Sequence, residues 1–556
     1  MKKHSILEAL IYSTITTPLR RTIVYIITLA IFIGSVYMIP TEMVKAKMLP
    51  GKDSDTFSIY VDLPRGSSIK DTKEVTSCIS NVLMKEEAVT AISVFLGEGQ
   101  PLDFAGMVKG SALKSSQNVA EMMINIHRKE HRTEMSYNMV HRVRPIVQKA
   151  CTINDANIKF IELPAGPPVL ASIVAEIYGG DFDSRREFAK VIADVLKKQP
   201  TLVDVDTLVD RQTYRYSLSL NNNKVLESGV GLEQIKKMFY VAFEGYEVGI
   251  INKNSAENQI PIFLRLDNSR ILDESSIEEI KSKLKNLKLM NKGGMMISMD
   301  KFVTIKKVKQ DPTIVSKDLS NMVNVIAETD MDSQIYPLLD ARTYMLEEMS
   351  DRYDVVATDL LNLQFIDKKS GETFNLVWDG ELKVTIDTFI ELGGAFIGAL
   401  VLIFFLMVIY YHSFALAGSI VLASFLSLIG VIIGHYVMNI MTPDEFYLTA
   451  TSLIGYIGLI GINSRNSLLI IDFAKQLIET KHMEVNHAIA VATATRAKPI
   501  LLTVLAIVFA SSLLATDAVF GGLGVALIGG TIIAYIVSIL FVPAIITRAL
   551  NNQYKN

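Results

Sequence analysis

Cysteine and tryptophan are nearly missing from this sequence, and neither sign of charge dominates it. The chain has 556 residues, with two cysteines, one tryptophan and a formal net charge of −3. Without a basic excess there is no electrostatic reason to expect nucleic acid as a partner. A Walker loop, a zinc-ligand motif and a nucleophile elbow are also missing. The sequence therefore gives no motif from which to expect catalytic residues, a cofactor or a bound metal.

Long apolar runs are what the sequence does have, and half of its residues are hydrophobic. A helix crosses roughly 30 Å of membrane hydrocarbon with about 20 apolar residues. Six stretches are long enough, and residues 40–387 between the first two have an ordinary globular composition. We predict an α-helical membrane protein with six transmembrane helices and one large α+β region outside the membrane. The stretches are 22–39, 388–411, 415–438, 448–473, 499–516 and 521–547.

Basic residues flank these stretches on alternate sides. Cytoplasmic ends of transmembrane helices carry an excess of lysine and arginine, so the clusters predict cytoplasmic termini and an extracytoplasmic large region. The first stretch is not a cleaved signal peptide, because its apolar run is too long and no small-residue cleavage site follows. The basic residues are Lys2, Lys3, Arg20 and Arg21 before the first stretch, Lys475, Lys481, Arg496 and Lys498 in a predicted loop between the fourth and fifth, and Arg548 and Lys555 at the end.

The large region reads as two α+β units and an insertion. Apolar and polar residues alternate over 57–63, which is the period of a half-buried strand. Helix and strand patterns then follow in the order β-α-β-β-α-β, which is typical of the ferredoxin-like split unit. A second unit begins at 172 and is interrupted by residues 210–315. The predicted strands are 57–63, 89–96, 122–126 and 158–163, then 172–179, 202–209, 321–329 and 361–366, and the predicted helices are 69–82, 136–149, 188–196 and 333–350.

Both cysteines, Cys78 and Cys151, fall in the large region. An oxidising compartment would permit a disulfide between them. Neither cysteine lies in a redox motif, and two unpaired cysteines fit the sequence equally well.

Several segments together resemble a known family, the resistance–nodulation–division (RND) efflux transporters, and specifically their C-terminal half. The most specific are GLIGINSRNSLLIIDFAK (458–475) and TRAKPILLT (495–503), taken with their spacing. Family members are normally about twice this length, so this chain corresponds to one half. It is either one polypeptide of a two-part transporter or a fragment of a longer one. The other matching segments are MLPGKDSDTFSIYVDLPRGSSIKDT (48–72), LPAGPPVLASIVAEIYGGD (163–181) and FVPAII (541–546).

The resemblance implies a domain organisation. Residues 1–40 would be an amphipathic helix and the first transmembrane helix, and 386–556 the other five. Residues 41–170 would form the first porter subdomain, and 171–209 with 316–385 the second. Residues 210–315 would be an inserted docking module.

The resemblance also implies a function and partners. The chain would export hydrophobic or amphiphilic compounds, including drugs, at the expense of the proton gradient across a bacterial inner membrane. An N-terminal-half partner would supply an acidic pair. A periplasmic adaptor and an outer-membrane channel would complete a tripartite pump, with three transport units around an axis in the lipid bilayer.

Arg465 stands inside the fourth apolar stretch, where a charge costs about 2.5–3.5 kcal/mol on insertion scales. Gly458 and Gly461 share its helix face. The first, fifth and sixth stretches contain no acid, Glu391 lies near the outer end of the second, and Asp472 lies near the cytoplasmic edge. Two readings follow: either the partner of Arg465 lies outside this chain, or Arg465 snorkels towards Asp472 and the cytoplasm.

Family-implied roles fall on four residues of the membrane helices. Arg465 takes the position of a cation that is more often lysine, with Asn466 beside it, and Arg496 and Thr503 take relay positions. Arginine stays protonated, whereas a buried lysine can lose its proton. The departure from lysine suits a fixed counter-charge better than a group that gives up a proton.

Weaker candidates define the alternatives. Phe95 and Phe104 resemble aromatic drug-pocket residues of the family, although aromatics in such a unit are more often core. His435 could titrate near neutral pH but is more often an interfacial residue. Heavy-metal efflux would use thioether ligands, which bind Cu(I), and a lipid or protein translocation accessory protein of the superfamily would have a smaller soluble domain. The methionines in question are Met295, Met296 and Met299.

Overall fold

A computed structural model describes residues 6–163, 166–209, 214–252, 254, 259–266, 277–330 and 332–554, apart from the Phe104 side chain. Two helices open the described chain: α1 (Ile6–Thr16) and α2 (Pro18–Tyr37). Pro18 starts α2 at a position where its missing N–H costs nothing. Ile11 and Ile15 of α1 are buried in the core of the later membrane helices.

The first α+β unit has a four-stranded antiparallel sheet with strand order β2-β3-β1-β4. Ser68 starts its first helix with a capping box, in which Asp71 bonds back to the Ser68 backbone N–H. The helices cover one sheet face, and Ile59, Met122 and Val140 are fully buried between them. The elements are β1 (Thr56–Asp62), α3 (Ile69–Leu83), β2 (Val89–Glu98), α4 (Phe104–Lys109), β3 (Ser115–Ile126), α5 (Ser136–Cys151) and β4 (Asn157–Ile161).

Cys78 and Cys151 form a disulfide that joins α3 to α5, with their Cα atoms 5.7 Å apart. The structure therefore decides between the two alternatives that the sequence left open.

The second unit starts with β5 (Ile173–Gly179), α6 (Phe182–Lys197) and β6 (Leu202–Thr207). An inserted module follows and has a small core of its own, which includes Ile235, Leu284, Met299 and Phe302. Its elements are β7 (Tyr214–Leu220), α7 (Asn222–Ser228), α8 (Leu232–Phe239), β8 (Tyr246–Ile251), β9 (Ile260–Leu264), α9 (Ile277–Asn286), β10 (Lys288–Met290), β11 (Met296–Ser298) and β12 (Val303–Lys309).

The second unit then resumes and completes a sheet with strand order β13-β14-β5-β17-β16-β15, in which β6 also pairs with β14. The central run β6-β14-β5-β17 repeats the order of the first unit. The prediction that residues 361–366 supply the fourth strand is wrong, because β17 pairs with β5 and β16 lies one strand further out. The remaining elements are β13 (Val315–Lys317), β14 (Ser320–Thr329), α10 (Ile335–Glu348), β15 (Tyr353–Ala357), β16 (Leu363–Asp367) and β17 (Thr373–Asp379).

The chain ends in a bundle of long apolar helices. By length and composition, six helices of the described residues could cross a membrane: α2, the pair α12–α13, and four others of this bundle. The predicted loop at 475–498 is wrong, because helix continues to Lys481 and restarts at Val485. Buried alanines such as Ala488 and Ala492 favour that helix. The bundle consists of α11 (Glu381–Tyr411), α12 (Phe414–Phe425), α13 (Leu428–Met441), α14 (Ala450–Lys481), α15 (Val485–Leu514) and α16 (Gly521–Tyr554).

Candidate functional site

Helix α14 is the most polar of the membrane helices and carries Arg465. Its start is fixed by Thr449, whose side chain accepts a hydrogen bond from the Ser452 N–H. Arg465 is exposed on the outer surface of the bundle, whereas Asn463 and Asn466 are buried against the other helices. Successive residues of a helix point about 100° apart, so Asn466 does not share the face of Arg465.

The face around Arg465 is open and includes two glycines. A methyl group added at Gly458 or Gly461 would meet no heavy atom within 4 Å. Small residues allow another helix to approach closely inside a membrane. Three glycines on α11 are open in the same way, which extends this kind of surface to a second helix: Gly393, Gly394 and Gly398.

Arg465 makes no ion pair or hydrogen bond within the part of the chain that the structure describes. Asp472, the alternative partner considered from the sequence, instead accepts a hydrogen bond from Tyr411 Oη at 2.7 Å. Arg465 therefore presents an uncompensated charge to the open face.

The buried side of α14 is polar as well. Both amide atoms of Asn463, the Nδ2 of Asn466 and the Oγ of Ser467 are buried without a hydrogen-bond partner among the described residues. Leaving such groups unpaired in an apolar interior costs free energy. Ser464 reaches the neighbouring helix, with its Oγ 3.3 Å from Ser424 Oγ. Polar side chains thus occur on two separate faces of one membrane helix.

The structure separates Arg496 from Arg465 along the axis of α14. The Arg496 guanidinium lies 4.8 Å from the centre of the Phe473 ring. Phe473 follows Arg465 by eight residues, or about 12 Å along the helix. Because α15 runs antiparallel to α14, Thr503 returns to about the level of Asn466. The Thr503 hydroxyl donates to Ile500 O at 2.7 Å.

His435 is fully buried between α13 and α14. Its Nδ1 lies 2.8 Å from Val431 O, and its Nε2 lies 2.8 Å from Ser452 Oγ. The interfacial reading of this histidine is wrong, because both ring nitrogens are satisfied inside the bundle. The role that the contacts support is packing the start of α14 against α13.

The aromatic and methionine candidates do not gather at one site. Phe95 is half-buried on β2, opposite Glu121 of β3. Phe104 begins α4, and its side chain lies outside the described residues. Met295 and Met296 are exposed on the inserted module, while Met299 is buried in its core.

A cavity of about 400 Å³ lies between the two α+β units and the membrane helices. Its walls come from α5, the end of β14 and the segment after α2, and residues 444–447 also line it. This cavity could not be predicted from the sequence, because its residues come from distant parts of the chain. Charged residues near the ends of strands and helices line it, but many ordinary surface residues have the same sequence pattern.

An ionic seam joins the two units next to this cavity. Bases of the first unit face acids of the second: Lys109 Nζ lies 2.9 Å from Glu328 Oε1, and His141 Nδ1 lies 2.6 Å from Asp330 Oδ2. Each unit has its own apolar core. The contact between them is therefore polar. The remaining pairs of the seam are Arg144 with Asp330, Arg144 with Asp204 at 3.6 Å, and Lys159 with Asp206.

The pKa values of two carboxyl groups at the seam shift in opposite directions. Burial raises the pKa of Glu162 to about 7, although Arg144 at 3.9 Å opposes the shift. Its side chain keeps about a third of its area exposed, and Glu162 lines the cavity. Burial would also raise the pKa of Glu328, but Lys109 and Ser172 hold it below its usual value.

These features define the class: an integral membrane protein with a cation-bearing polar helix and two β-α-β-β-α-β units outside its helical bundle. The model of the AcrB/AcrD/AcrF family matches residues 6–548. The chain belongs to this family of RND transporters. Membership and the apolar helices together imply a bacterial inner-membrane protein.

Curated relatives and solved structures agree with the assignment. The chain is 21% identical over 527 residues to swarming motility protein SwrC of Bacillus subtilis, covering 94% of this chain and 45% of that protein. It is 24% identical over 549 residues to the toluene efflux pump membrane transporter TtgB of Pseudomonas putida, covering 95% and 47%. A crystal structure of a heavy metal efflux pump superposes with a TM-score of 0.71 at 16% identity, covering 98% and 52%. The chain thus spans about half the length of the relatives it matches.

Proposed function

We propose that this chain is the C-terminal half of a proton-driven exporter. The observation that carries the proposal is Arg465, an uncompensated cation on an open, glycine-lined face of α14. A partner half that places carboxylates against this face would neutralise the charge, and protonation of those carboxylates would then change how tightly the halves pack. Asn466, Arg496 and Thr503 are the proposed relay residues.

The proposed substrate is a hydrophobic or amphiphilic compound. Relatives named as multidrug and toluene efflux transporters support this class. Heavy-metal export is the second candidate, supported by the structural neighbour. The scatter of Met295, Met296 and Met299 away from the cavity does not favour it, because a soft metal would need their sulfur atoms together. A role as a lipid or protein translocation accessory factor is a further alternative.

The proposed assembly follows from the family. Both termini lie in the cytoplasm, and residues 41–385 lie in the periplasm as two porter subdomains and an inserted docking module. The module faces an adaptor and an outer-membrane channel, and three transport units surround an axis. The proposal requires that the other half of the transporter, in the same protein or in a companion chain, carries a pair of acidic residues inside the membrane.

The test is proton-gradient-dependent dye export by cells that make the complete transporter. Arg465→Ala removes the charge and is expected to lower export to background. Arg465→Lys keeps a cation and is expected to retain part of the activity. Lys481→Ala, a basic residue at the end of the same helix, is the matched control and is expected to export normally. Unchanged export by Arg465→Ala at equal expression would contradict the proposal.

A further inference from the structure

The segment between α13 and α14, residues 442–449, contacts the first α+β unit directly and reaches the second through Lys45; we call it the outer loop. Asn138 Nδ2 of the first unit donates to Asp444 Oδ1 at 3.0 Å, and Tyr137 Oη donates to Asp444 Oδ2 at 3.4 Å. The next residue, Glu445, turns to a different partner. It accepts a hydrogen bond from Lys45 Nζ at 3.0 Å.

Lys45 connects the outer loop to the second unit. Its Nζ also donates to both carboxylate oxygens of Asp332, at 2.9 and 3.0 Å. The side chains of Lys45 and Asp332 are each less than a fifth exposed, so solvent screens this pair less than a surface pair. A single ammonium group thus holds one carboxylate on the second unit and one on the outer loop.

Backbone contacts fix the segment that carries Lys45 to the start of α14. The Leu448 N–H donates to Lys45 O at 2.8 Å, and the Lys47 N–H donates to Leu448 O at 3.1 Å. The Ala450 N–H, in the first turn of α14, donates to Met48 O at 3.0 Å. A movement of α14 along its axis therefore moves the outer loop and residues 45–48 with it.

These same residues line the cavity between the two units. Lys47, Glu445 and Tyr447 line it on the membrane side, and Asp332 lines it from the second unit. The walls belong to units joined by polar contacts, which can rearrange without exposing a large apolar core. Shifts of about 1–2 Å are typical of helices that transmit a change between sites. Unless the second unit follows, a shift of this size would lengthen the hydrogen bonds from Lys45 to Asp332 beyond their normal range.

We infer that Lys45 is a positioning residue that couples helix α14 to the second α+β unit. It passes a displacement of the helix that carries Arg465 to the wall of the cavity, through Glu445 on one side and Asp332 on the other. The inference rests on the proposed function, because it assigns the displacement to the proton-driven step at Arg465. It adds one side chain through which that step reaches the soluble region, beside the hydrogen bonds that Ser333 and Tyr336 make to the backbone of Ala46.

The experiment uses the complete transporter in proteoliposomes and records proton uptake and substrate export in the same preparation. Lys45→Met is expected to keep proton uptake while export per proton falls by about fivefold or more, the lower end of usual coupling energies. Lys45→Arg keeps both ion pairs and is expected to restore the ratio. Lys70→Met, at an exposed lysine on α3 that does not line the cavity, is the matched control and is expected to leave the ratio unchanged.

The outcomes separate this inference from the proposed function. If Lys45 only holds the fold together, Lys45→Met lowers proton uptake, export and thermal stability in parallel, and that result overturns the coupling role. An export-to-proton ratio within about twofold of wild type overturns it too. Wild-type transporter without proton-driven export would overturn the proposed function and the coupling role together.

Discussion

Arg465 carries its charge on a surface where no described residue neutralises it. Arginine stays protonated under all physiological conditions and offers parallel N–H groups that match a carboxylate. The group that fits it is therefore a carboxylate on a helix that packs against Gly458 and Gly461. A lysine at this position could lose its proton, so under the proposed function an arginine would leave the opposing carboxylates as the groups that titrate.

Glu162 gives a prediction at the scale of one residue. Its pKa of about 7 is above the usual 4.5. Between these values the folded protein binds more protons than the unfolded chain, so stability falls as pH rises through the window. Because glutamine does not ionise, the Glu162→Gln variant does not lose this stability as the pH rises. We expect the variant to gain thermal stability over wild type at about pH 8 and little at about pH 5.

Differential scanning fluorimetry of the purified protein at both pH values measures this difference. Glu74→Gln, an exposed carboxylate on α3, is the control and is expected to track wild type. A wild type and a Glu162→Gln variant with the same pH dependence would show that Glu162 titrates normally.

Helix α5 of the first unit carries one buried and one exposed arginine. Comparing the two tests how much the buried ion pairs of the ionic seam contribute to stability. Arg144 is almost fully buried and faces Asp330, Asp204 and Glu162. Removing one partner of a buried pair leaves uncompensated charge and costs about 3–5 kcal/mol. We expect Arg144→Met to destabilise the soluble region by this amount in urea or thermal unfolding.

Arg142 is the matched control on the same helix. It pairs with Glu86 and Glu134 at 2.8 Å, but its side chain is 44% exposed. Exposed pairs contribute about 0–1 kcal/mol, so Arg142→Met is expected to change stability little. Equal losses for the two variants would mean that burial does not set the strength of the seam.

Local patterns predicted most elements but not their partners. Alternation placed strands at 57–63 and 172–179, where the structure has β1 and β5. It could not tell whether 361–366 or 373–379 pairs with β5, because both runs alternate and periodicity carries no information about the neighbour. The cavity and the ionic seam were invisible for the same reason, since they join residues that are distant in sequence.

The sequence predicted the number of apolar stretches in the helical bundle, but not where its helices begin and end. Hydropathy marks where the chain is apolar, whereas α15 begins at Val485 in an alanine- and threonine-rich segment of mixed polarity. The site residues show the same limit. Arg465 and Asn466 are adjacent in sequence, yet the helix points their side chains about 100° apart, so that one is exposed and the other is buried.

At the scale of the whole molecule, the chain has surfaces suited to a second helical domain. The open glycines of α11 and α14 lie on long apolar helices, and Arg465 lies among those of α14. The chain also covers about half of each relative it matches. A partner half that packs against this face would satisfy the charge and cover the glycines at once.

Gly461→Phe is the substitution that tests this packing. A phenyl ring would fill the space that a close neighbouring helix requires, and overpacking costs about 1–3 kcal/mol. When the two halves are expressed as separate chains, co-purification is expected to fall by about fivefold or more. Ile409→Phe, at an exposed site near the far end of α11, replaces one large side chain with another and should leave recovery unchanged. Because Gly461 has no neighbour within 4 Å, its substitution leaves the packing of this chain intact. Full recovery of the partner with Gly461→Phe would therefore mean that the two halves meet on another face.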